Sequence, residues 1–360
     1  MPAEPSPHPD PAAPRPAHEE TQALVWFAGL MVLLLLIALA LFGVRIVREM
    51  RAAPAAVAAP PPTATPTSSA PQAAAPSSPA PTASSAAPIQ PVAARGAGFQ
   101  PPADDAIPHT PMGDMIRKGE QIFLHTGVNA KAYVGNNLNC VNCHLDAGRQ
   151  AHAAPMWGAY LLYPAYRSKT KHVDTFAERL RGCFMYSMNG KAPPFGDEVL
   201  VALEAYSYWM ATGAPVGERL PGAGFAKLAK AAQPPDIARG QKVFESHCAL
   251  CHGDGGQGQR AGDTQVFPPL WGAQSFNWGA GMANIDSAAA FIKANMPLGQ
   301  GGTLTDQQAW DVATFMDSHE RPQDPRFTGD VAQTRAQFHD SEYSLYGTPV
   351  GGQLLGQGTH

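Results

Sequence analysis

Two copies of a Cys-x-x-Cys-His motif constrain this chain more than any other feature. They are "CVNCH" at Cys140–His144 and "CALCH" at Cys248–His252. In such a motif the two thiols bond the vinyl groups of a haem and the histidine is the proximal iron ligand. A lone Cys-x-x-Cys could instead bind zinc or act as a redox pair, but both copies end in histidine and stand in matching contexts. The sequence therefore predicts two covalently bound haem c groups, held by Cys140, Cys143, His144, Cys248, Cys251 and His252.

The sequence around each motif is also repeated. "IRKGEQIF" (Ile116–Phe123) matches "IARGQKVF" (Ile237–Phe244), and "PMWGAY" matches "PLWGAQ" downstream. Apolar residues at helical spacing predict a last helix in each unit, around Val199–Met210 and Trp310–Met316. The prediction is an all-α fold of two tandem cytochrome c-like domains, at residues 99–222 and 223–325. A polar tail, residues 326–360, follows them without an assigned role.

The N-terminal part of the chain predicts a membrane anchor. Residues 23–44 contain no charged side chain, and as a helix they would be about 33 Å long, enough to cross a bilayer. The apolar run is too long for a typical signal peptide, and no positive cluster precedes it. Residues 1–22 are then an N-terminal cytoplasmic tail, and residues 45–98, rich in Ala and Pro, form a disordered, extended linker.

The orientation of this anchor rests on two opposing signals. Arg45, Arg48 and Arg51 follow the apolar run, so the positive-inside rule would place the C-terminal side in the cytoplasm. Haem c attachment, however, takes place outside the bacterial inner membrane, and large domains translocate largely regardless of nearby charge. We therefore expect a single-pass inner-membrane protein with periplasmic haem domains. The net charge of −4 gives no reason to expect a nucleic-acid partner.

Each haem iron also needs a distal ligand. Met296 follows His252 by 44 residues, in a Pro/Gly-containing loop, where thioether ligation fits a cytochrome c fold. In the first unit Met188 follows His144 by the same 44 residues, and spacing alone favours it. The alternative ligand is the thiolate of Cys183, five residues earlier.

The charge pattern favours Cys183 over Met188. Nearby cations make a thiolate available, and they also form a binding site for a polyanion. The alternative is a solvated basic face that docks an acidic cytochrome. The cations in this stretch are Arg167, Lys169, Lys171, Arg179, Arg181 and Lys191, against Asp174 and Glu178.

One segment resembles the dihaem thiosulfate dehydrogenases, which also act as tetrathionate reductases. It is "CVNCHLDAGRQAHAAPMWGAYLLYPAYRSKTKHVDTFAERLRGCFMYSMNGKAPP". The later "ANMPLGQGGTLTDQQAWDVATFM" resembles their second haem domain, so that the likeness covers about residues 105–325. It implies His144 and Cys183 on the first iron and His252 and Met296 on the second. Met188 belongs to the family's "SMNGK" and remains the alternative ligand. The basic and polar residues that the resemblance places around Cys183 are Arg179, Ser187 and Lys191, with Arg149, Arg167 and Lys169 as weaker matches.

The resemblance implies oxidation of two thiosulfate ions to tetrathionate, or the reverse reaction. Cys183 would leave the iron and form a covalent thiosulfonate adduct. Thiolate ligation lowers a haem potential relative to Met ligation, so electrons would pass from the first haem to the second. An acceptor cytochrome c, a high-potential redox protein or a terminal oxidase would then take them. Two rivals stay open: a membrane-tethered electron carrier ligated by Met188, and a relative of the sulfur-oxidation cytochromes that load sulfur onto a carrier protein.

Overall fold

The computed structural model describes residues 99–262 and 264–359, which fall within one compact unit of the chain. The fold is helix-rich. Its longer helices are α1 (Pro111–Leu124), α2 (Phe176–Tyr186), α3 (Glu198–Met210), α4 (Ile237–His247), α5 (Ile285–Asn295), α6 (Asp306–Asp317) and α7 (Val331–Phe338). Single turns of helix lie at Thr126–Asn129, Leu145–Gly148, Met156–Ala159 and Ala249–His252, and 3₁₀ turns at Asp104–Ala106, Lys131–Tyr133, Cys140–Asn142, Tyr160–Leu162 and Gly281–Ala283.

The described residues also contain three short antiparallel β-hairpins. They pair β1 (Ala165–Arg167) with β2 (His172–Asp174), β3 (Gln259–Ala261) with β4 (Thr264–Phe267), and β5 (Pro349–Val350) with β6 (Gln353–Leu354). The register of the first aligns Ala165 with Asp174 and Arg167 with His172. This hairpin leads directly into α2, so it places the cationic stretch next to Cys183.

The internal repeat of the sequence is visible as two equivalent helix pairs. Helix α1 packs on α3, and α4 packs on α6. A glycine lies at each crossing: a Cβ on Gly119 would clash with the carbonyl oxygen of Ala202, and one on Gly240 with that of Asp311. These glycines occupy matching positions of the repeat and allow the backbones to approach closely. In both units the first helix is thereby fixed just ahead of a Cys-x-x-Cys-His motif.

Side-chain caps set where these helices begin. Thr110 accepts a hydrogen bond from the Gly113 N–H at 3.2 Å, with Pro111 at the first helical position. Asp236 accepts from the Arg239 N–H at 2.8 Å at the start of α4. Helix α2 starts with a capping box, in which Thr175 and Glu178 bond each other's backbone N–H groups. Caps of this kind satisfy N–H groups that have no partner within the helix.

Asparagines join the segment after Cys183 to the second unit. The Asn136 amide donates to the carbonyls of Ser187 at 2.8 Å and Ser275 at 3.0 Å. The Asn277 amide donates to the Met185 carbonyl at 2.9 Å and to the Asn189 side chain at 3.0 Å. Because these amides are buried, the C-terminal end of α2 is held in place by residues from both units.

The C-terminal segment after α6 is a packed part of the structure. Tyr346 is fully buried and its ring lies 5.6 Å from that of Trp278, and Leu355 is also in the core. The Glu320 carboxylate accepts from the Trp278 indole at 2.5 Å and from the Gly356 N–H at 2.9 Å. The segment predicted as a polar tail thus returns across the second unit through α7 and the β5–β6 hairpin.

The predicted anchor and linker, residues 23–44 and 45–98, lie outside the described residues. Within 99–262 and 264–359, no helix is both long enough and apolar enough to span a bilayer.

Candidate active site

The first haem motif is shaped by Thr126. Its hydroxyl accepts a hydrogen bond from the Cys140 N–H at 3.0 Å and lies 3.3 Å from the Cys140 sulfur. The motif then makes a 3₁₀ turn over Cys140–Asn142. The His144 Nδ1 lies 2.6 Å from the carbonyl oxygen of Ala154. Such a bond fixes the ring and leaves Nε2 as the atom that can bind a metal.

The second motif repeats the contact between its histidine and a backbone carbonyl. Cys248 precedes a single helical turn at Ala249–His252, and the His252 Nδ1 lies 2.9 Å from the carbonyl oxygen of Pro268. Burial lowers the pKa of His252, and it lowers that of His144 to about 4. Both imidazoles are therefore neutral near pH 7, which is the form that coordinates iron.

The size and lining of one cavity suit the haem groups that the two motifs predict. It has a volume of 1210 Å³, and its lining is mostly aliphatic and aromatic. Cys143, Cys248, Cys251 and His252 face it together with Met296. Three of the four motif thiols, one imidazole and one thioether thus surround one large apolar space, and these are the kinds of donor that c-type haem requires.

Cys183 lies in α2, where helical spacing brings Arg179 to the same face. The Arg179 guanidinium donates a hydrogen bond to the Cys183 sulfur at 2.8 Å. The proximity of Cys183 is the largest cause of the raised pKa of Arg179. It also contributes, after burial, to raising the pKa of Cys140 to about 12 and that of Cys143 to about 11. Cys183 is therefore close to the first haem attachment site as well as to Arg179.

Met188 occupies a different environment. Its side chain is only 3% exposed and belongs to the main hydrophobic core. Its backbone continues the turn after α2, because its N–H donates to the Cys183 carbonyl at 3.0 Å and its carbonyl accepts from the Gly135 N–H at 2.9 Å. Cys183, in contrast, is half-buried and in contact with a cation.

A second cavity, which we call the cationic cavity, lies beside Cys183. Its volume is 590 Å³, and its lining includes Gly182 and Ser187 on either side of the cysteine, together with Arg179. Six Arg or Lys residues line it against three Asp or Glu residues, so its lining carries an excess of positive charge. The six cations are Arg167, Lys169, Lys171, Arg179, Arg181 and Arg326.

The structure brings most of the predicted basic residues together, with two exceptions. Lys191 is exposed and is not among the residues that line the cationic cavity. Arg149 lines the apolar cavity instead, where it donates to the Pro102 carbonyl at 2.6 Å and pairs with Asp104. The roles predicted for these two residues stay predictions.

The C-terminal segment contributes residues that no sequence motif predicts. Arg326, Phe338 and His339 all line the cationic cavity. No local motif marks them, since Arg326 stands in a polar run and reaches the cavity only through the packing of its segment. A tyrosine was also missed: Tyr186 in α2 stacks with cations from two parts of the chain.

Comparisons with known proteins agree with this architecture. Residues 235–316 match the protein family described as "Cytochrome C oxidase, cbb3-type, subunit III". Thiosulfate dehydrogenase of Thiomonas intermedia (strain K12) is 58% identical over 255 residues, covering 71% of this chain and 81% of that protein. Thiosulfate dehydrogenase of Stutzerimonas stutzeri (strain A1501) is 53% identical over 259 residues, covering 71% and 84%.

A solved structure shows the same fold. Thiosulfate dehydrogenase (TsdBA) from Marichromatium purpuratum, in its as-isolated form, matches with a TM-score of 0.71 and 50% identity. The match covers 73% of this chain and 58% of that longer chain. These likenesses identify the helix-rich structure as a cytochrome c-like fold that carries covalently bound c-type haem.

Proposed function

This chain belongs to the thiosulfate dehydrogenase family, and from that membership we propose that it oxidises two thiosulfate ions to one tetrathionate ion. The observation that carries the proposal is the hydrogen bond from Arg179 to the Cys183 sulfur, beside a cavity lined by cations. An exposed basic face that only docks a partner would not require a thiol in contact with a guanidinium group.

The residues that would hold the haems follow from the two motifs. Cys140 and Cys143 would attach the first haem and Cys248 and Cys251 the second, with His144 and His252 as proximal ligands. We assign Cys183 and Met296 as the distal ligands. Cys183 has the support of its closeness to Cys140 and Cys143, and Met296 faces the same cavity as His252. When bound, each haem accepts one electron, so that two haems accept the two electrons of the reaction.

Cys183 has the surroundings of a nucleophile. The guanidinium of Arg179 stabilises negative charge on its sulfur through a charge-assisted hydrogen bond. In the proposed order of steps, the thiolate sulfur of Cys183 bonds to the sulfane sulfur of one thiosulfate. Forming this S–S bond releases two electrons, one for each haem. The terminal sulfur of a second thiosulfate then attacks the thiosulfate-derived sulfur bonded to Cys183. Tetrathionate is released and the Cys183 thiolate is regenerated.

The cations around Cys183 would bring the two substrate ions together. Thiosulfate is a dianion, so two of them repel each other at the distance at which the new S–S bond forms. Arg179, Lys169 and Arg167 line one cavity and can bind the sulfonate ends. Because these cations are already in place, they offset the repulsion between the two ions and hold them in the orientation that the reaction needs. Ser187 lines the cavity and offers a further hydrogen-bond donor.

We also propose the cellular setting predicted from the sequence. Residues 23–44 would anchor the chain in the inner membrane, and residues 45–98 would extend the haem units into the periplasm. An acceptor cytochrome c, a high-potential redox protein or a terminal oxidase would take the electrons from the Met296-ligated haem. The support for this setting is the composition of residues 23–98 and the need to attach haem outside the membrane.

The test is a redox-dye assay on the haem-loaded protein, with thiosulfate in one cuvette and tetrathionate in the other. Wild-type protein should reduce ferricyanide with free thiosulfate and no carrier protein. Cys183→Ala should lose at least about a thousandfold in turnover, as expected when a nucleophile is removed. Met188→Leu, a volume-conserving change in the core, serves as the control and should retain turnover. Wild-type turnover in Cys183→Ala would contradict the proposed role of the thiol.

A further inference from the structure

A five-residue segment of the first unit contacts elements that carry proposed iron ligands in both units. It is "QAHAA", residues 150–154, and we call it the bridging segment. The carbonyl oxygen of its last residue, Ala154, lies 2.6 Å from His144 Nδ1 and so orients the proposed proximal ligand of the first haem. Its other contact is with the C-terminal end of α5, which is followed directly by Met296, the proposed distal ligand of the second haem. One short segment therefore meets a ligand-bearing element of each unit.

Asn295 makes this contact from the second unit. It is the last residue of α5, and it is buried. Its Nδ2 donates hydrogen bonds to the Phe291 carbonyl at 2.9 Å and to the His152 carbonyl at 3.2 Å. Its Oδ1 accepts a hydrogen bond from Gln150 Nε2 at 2.9 Å, so that both polar atoms of the buried amide have partners. Because Asn295 directly precedes Met296, the two bonds to the bridging segment fix the point at which the ligand loop begins.

The backbone of the bridging segment is bent so that it offers two carbonyls in these directions. His152 has a φ of 65° and Ala154 a φ of 49°, in the left-handed region that residues with a Cβ rarely adopt. These are the same two residues whose carbonyls contact Asn295 and His144. Their N–H groups donate to two carbonyls within residues 222–224, at 2.8 and 3.0 Å. An unfavourable conformation persists only where its surroundings impose it, so the segment is shaped for these contacts.

An apolar cluster reinforces the hydrogen bonds. Ala153, at the centre of the bridging segment, is fully buried and forms a small core with Leu145 and Phe291. Leu145 directly follows His144 in the first unit, and Met296 of the second unit packs against the same core. The bridging segment therefore packs with the residue after one proposed ligand and with the side chain of another.

A thioether ligand needs such support. The methionine side chain is unbranched and has three rotatable bonds, so the position of its sulfur depends on how firmly its backbone is held. Groups outside the coordination sphere that orient a ligand strengthen its binding to the metal. Because methionine ligation raises the potential of a haem, loosening the loop that carries Met296 should lower the potential of the second haem.

We propose that the bridging segment is a positioning element shared by the two haem sites. Through Asn295, the side chain of Gln150 in the first unit holds Met296 where it can bind the second iron. The second haem then reaches its full potential only when the first unit is folded against it. This inference goes beyond the proposed function, because it concerns the ligation of the second haem and holds for a dihaem electron carrier as well.

The test compares Gln150→Leu with the control Gln323→Leu in the oxidised, haem-loaded protein. Gln150→Leu keeps a side chain of similar size but removes the donor to Asn295 Oδ1. Gln323 is also a half-buried glutamine that joins two segments, since its amide donates to the Gly356 carbonyl at 2.6 Å, but it does not line the haem cavity. Gln150→Asn, whose amide is one methylene shorter, is the second variant in case the leucine prevents folding.

A redox titration followed by low-temperature EPR reports on the second haem without turnover, because thioether-ligated and thiolate-ligated low-spin haems differ in their g-values. In Gln150→Leu the reduced-to-oxidised ratio of the thioether-ligated haem should be about tenfold lower at a given ambient potential. That is the lower end of the effect of removing a group that orients a metal ligand, and it corresponds to about 59 mV for a one-electron couple. The thiolate-type signal should stay, and Gln323→Leu should leave both signals and the ratio unchanged.

Three results would overturn the inference. The first is an unchanged ratio in Gln150→Leu, and the second is a wild-type protein without a thioether-type signal. The third is an equal shift in Gln323→Leu, since a general loosening of the fold would then explain both variants. If Gln150→Leu lowers the ratio as expected but the wild type oxidises no thiosulfate, the proposed function fails while this inference stands.

Discussion

The two haem-binding units share a scaffold but differ in the segment expected to supply the second iron ligand. In the first unit, Cys183 lies in a helix, half-buried, with the Arg179 guanidinium bonded to its sulfur. In the second, Met296 follows α5 and faces an apolar cavity. The nearest upstream cation, Lys293, is engaged by Asp306 at 3.3 Å. The scaffold alone therefore does not determine the chemistry: in the first unit a cation contacts the sulfur, whereas in the second the nearest upstream cation is paired with a carboxylate.

Replacing the cation near each sulfur should give the largest difference between the units. Arg179→Gln removes the hydrogen bond to Cys183 and one cation of the proposed substrate site, and should lower kcat/KM about a hundredfold. That loss corresponds to roughly 2.7 kcal/mol, within the range for hydrogen bonds to charged groups. Lys293→Gln, three residues before Met296, should stay within about twofold. Steady-state kinetics with thiosulfate and ferricyanide measures both, and equal losses would remove the distinction between the units.

The shared scaffold predicts a second, smaller effect that should be the same in both units. Gly119→Ala and Gly240→Ala each place a methyl group against a backbone carbonyl that cannot move aside. Each should destabilise the protein by about 1–3 kcal/mol, as overpacking does. Gly182→Ala in α2 is the control, because its methyl group would meet only the Tyr186 ring at 3.9 Å. That variant should be neutral or gain up to about 1 kcal/mol from helix propensity.

Thermal melting of the haem-loaded variants, followed by circular dichroism, gives the comparison. A drop in melting temperature for only one of the two glycine variants would show that the units are not equivalent at their helix crossings.

The sequence predicted the parts of the structure that local patterns mark, but it did not predict residues that reach the site through tertiary packing. The haem motifs, the helix pairs and Met296 are marked by local patterns that recur along the chain, so the scaffold could be predicted. Arg326 and His339 carry no such mark. They reach the cationic cavity because Tyr346 and Leu355 pack the C-terminal segment into the core. Contacts of this kind depend on tertiary packing, which a reading of local periodicity does not contain.

The smallest effect concerns pH. Lys169 has a pKa lowered to about 7, so it is charged below pH 7 and loses its charge as the pH rises above it. The KM for thiosulfate should therefore rise between pH 6 and pH 8. We expect about a fivefold change, from roughly 1 kcal/mol for one partly exposed charge pair. Lys169→Arg stays charged throughout and should flatten the profile. The same slope in Lys169→Arg and wild type would show that another group titrates.

Low-temperature EPR of the oxidised protein tests the central claim, that Cys183 rather than Met188 ligates the first iron. Thiolate-ligated and thioether-ligated low-spin haems differ in their g-values. We expect two low-spin signals in wild type, one of thiolate type and one of thioether type. Cys183→Ala should lose the thiolate signal while both haems stay attached, and Met188→Leu should keep it. Two thioether-type signals in wild type, with one lost in Met188→Leu, would contradict the account.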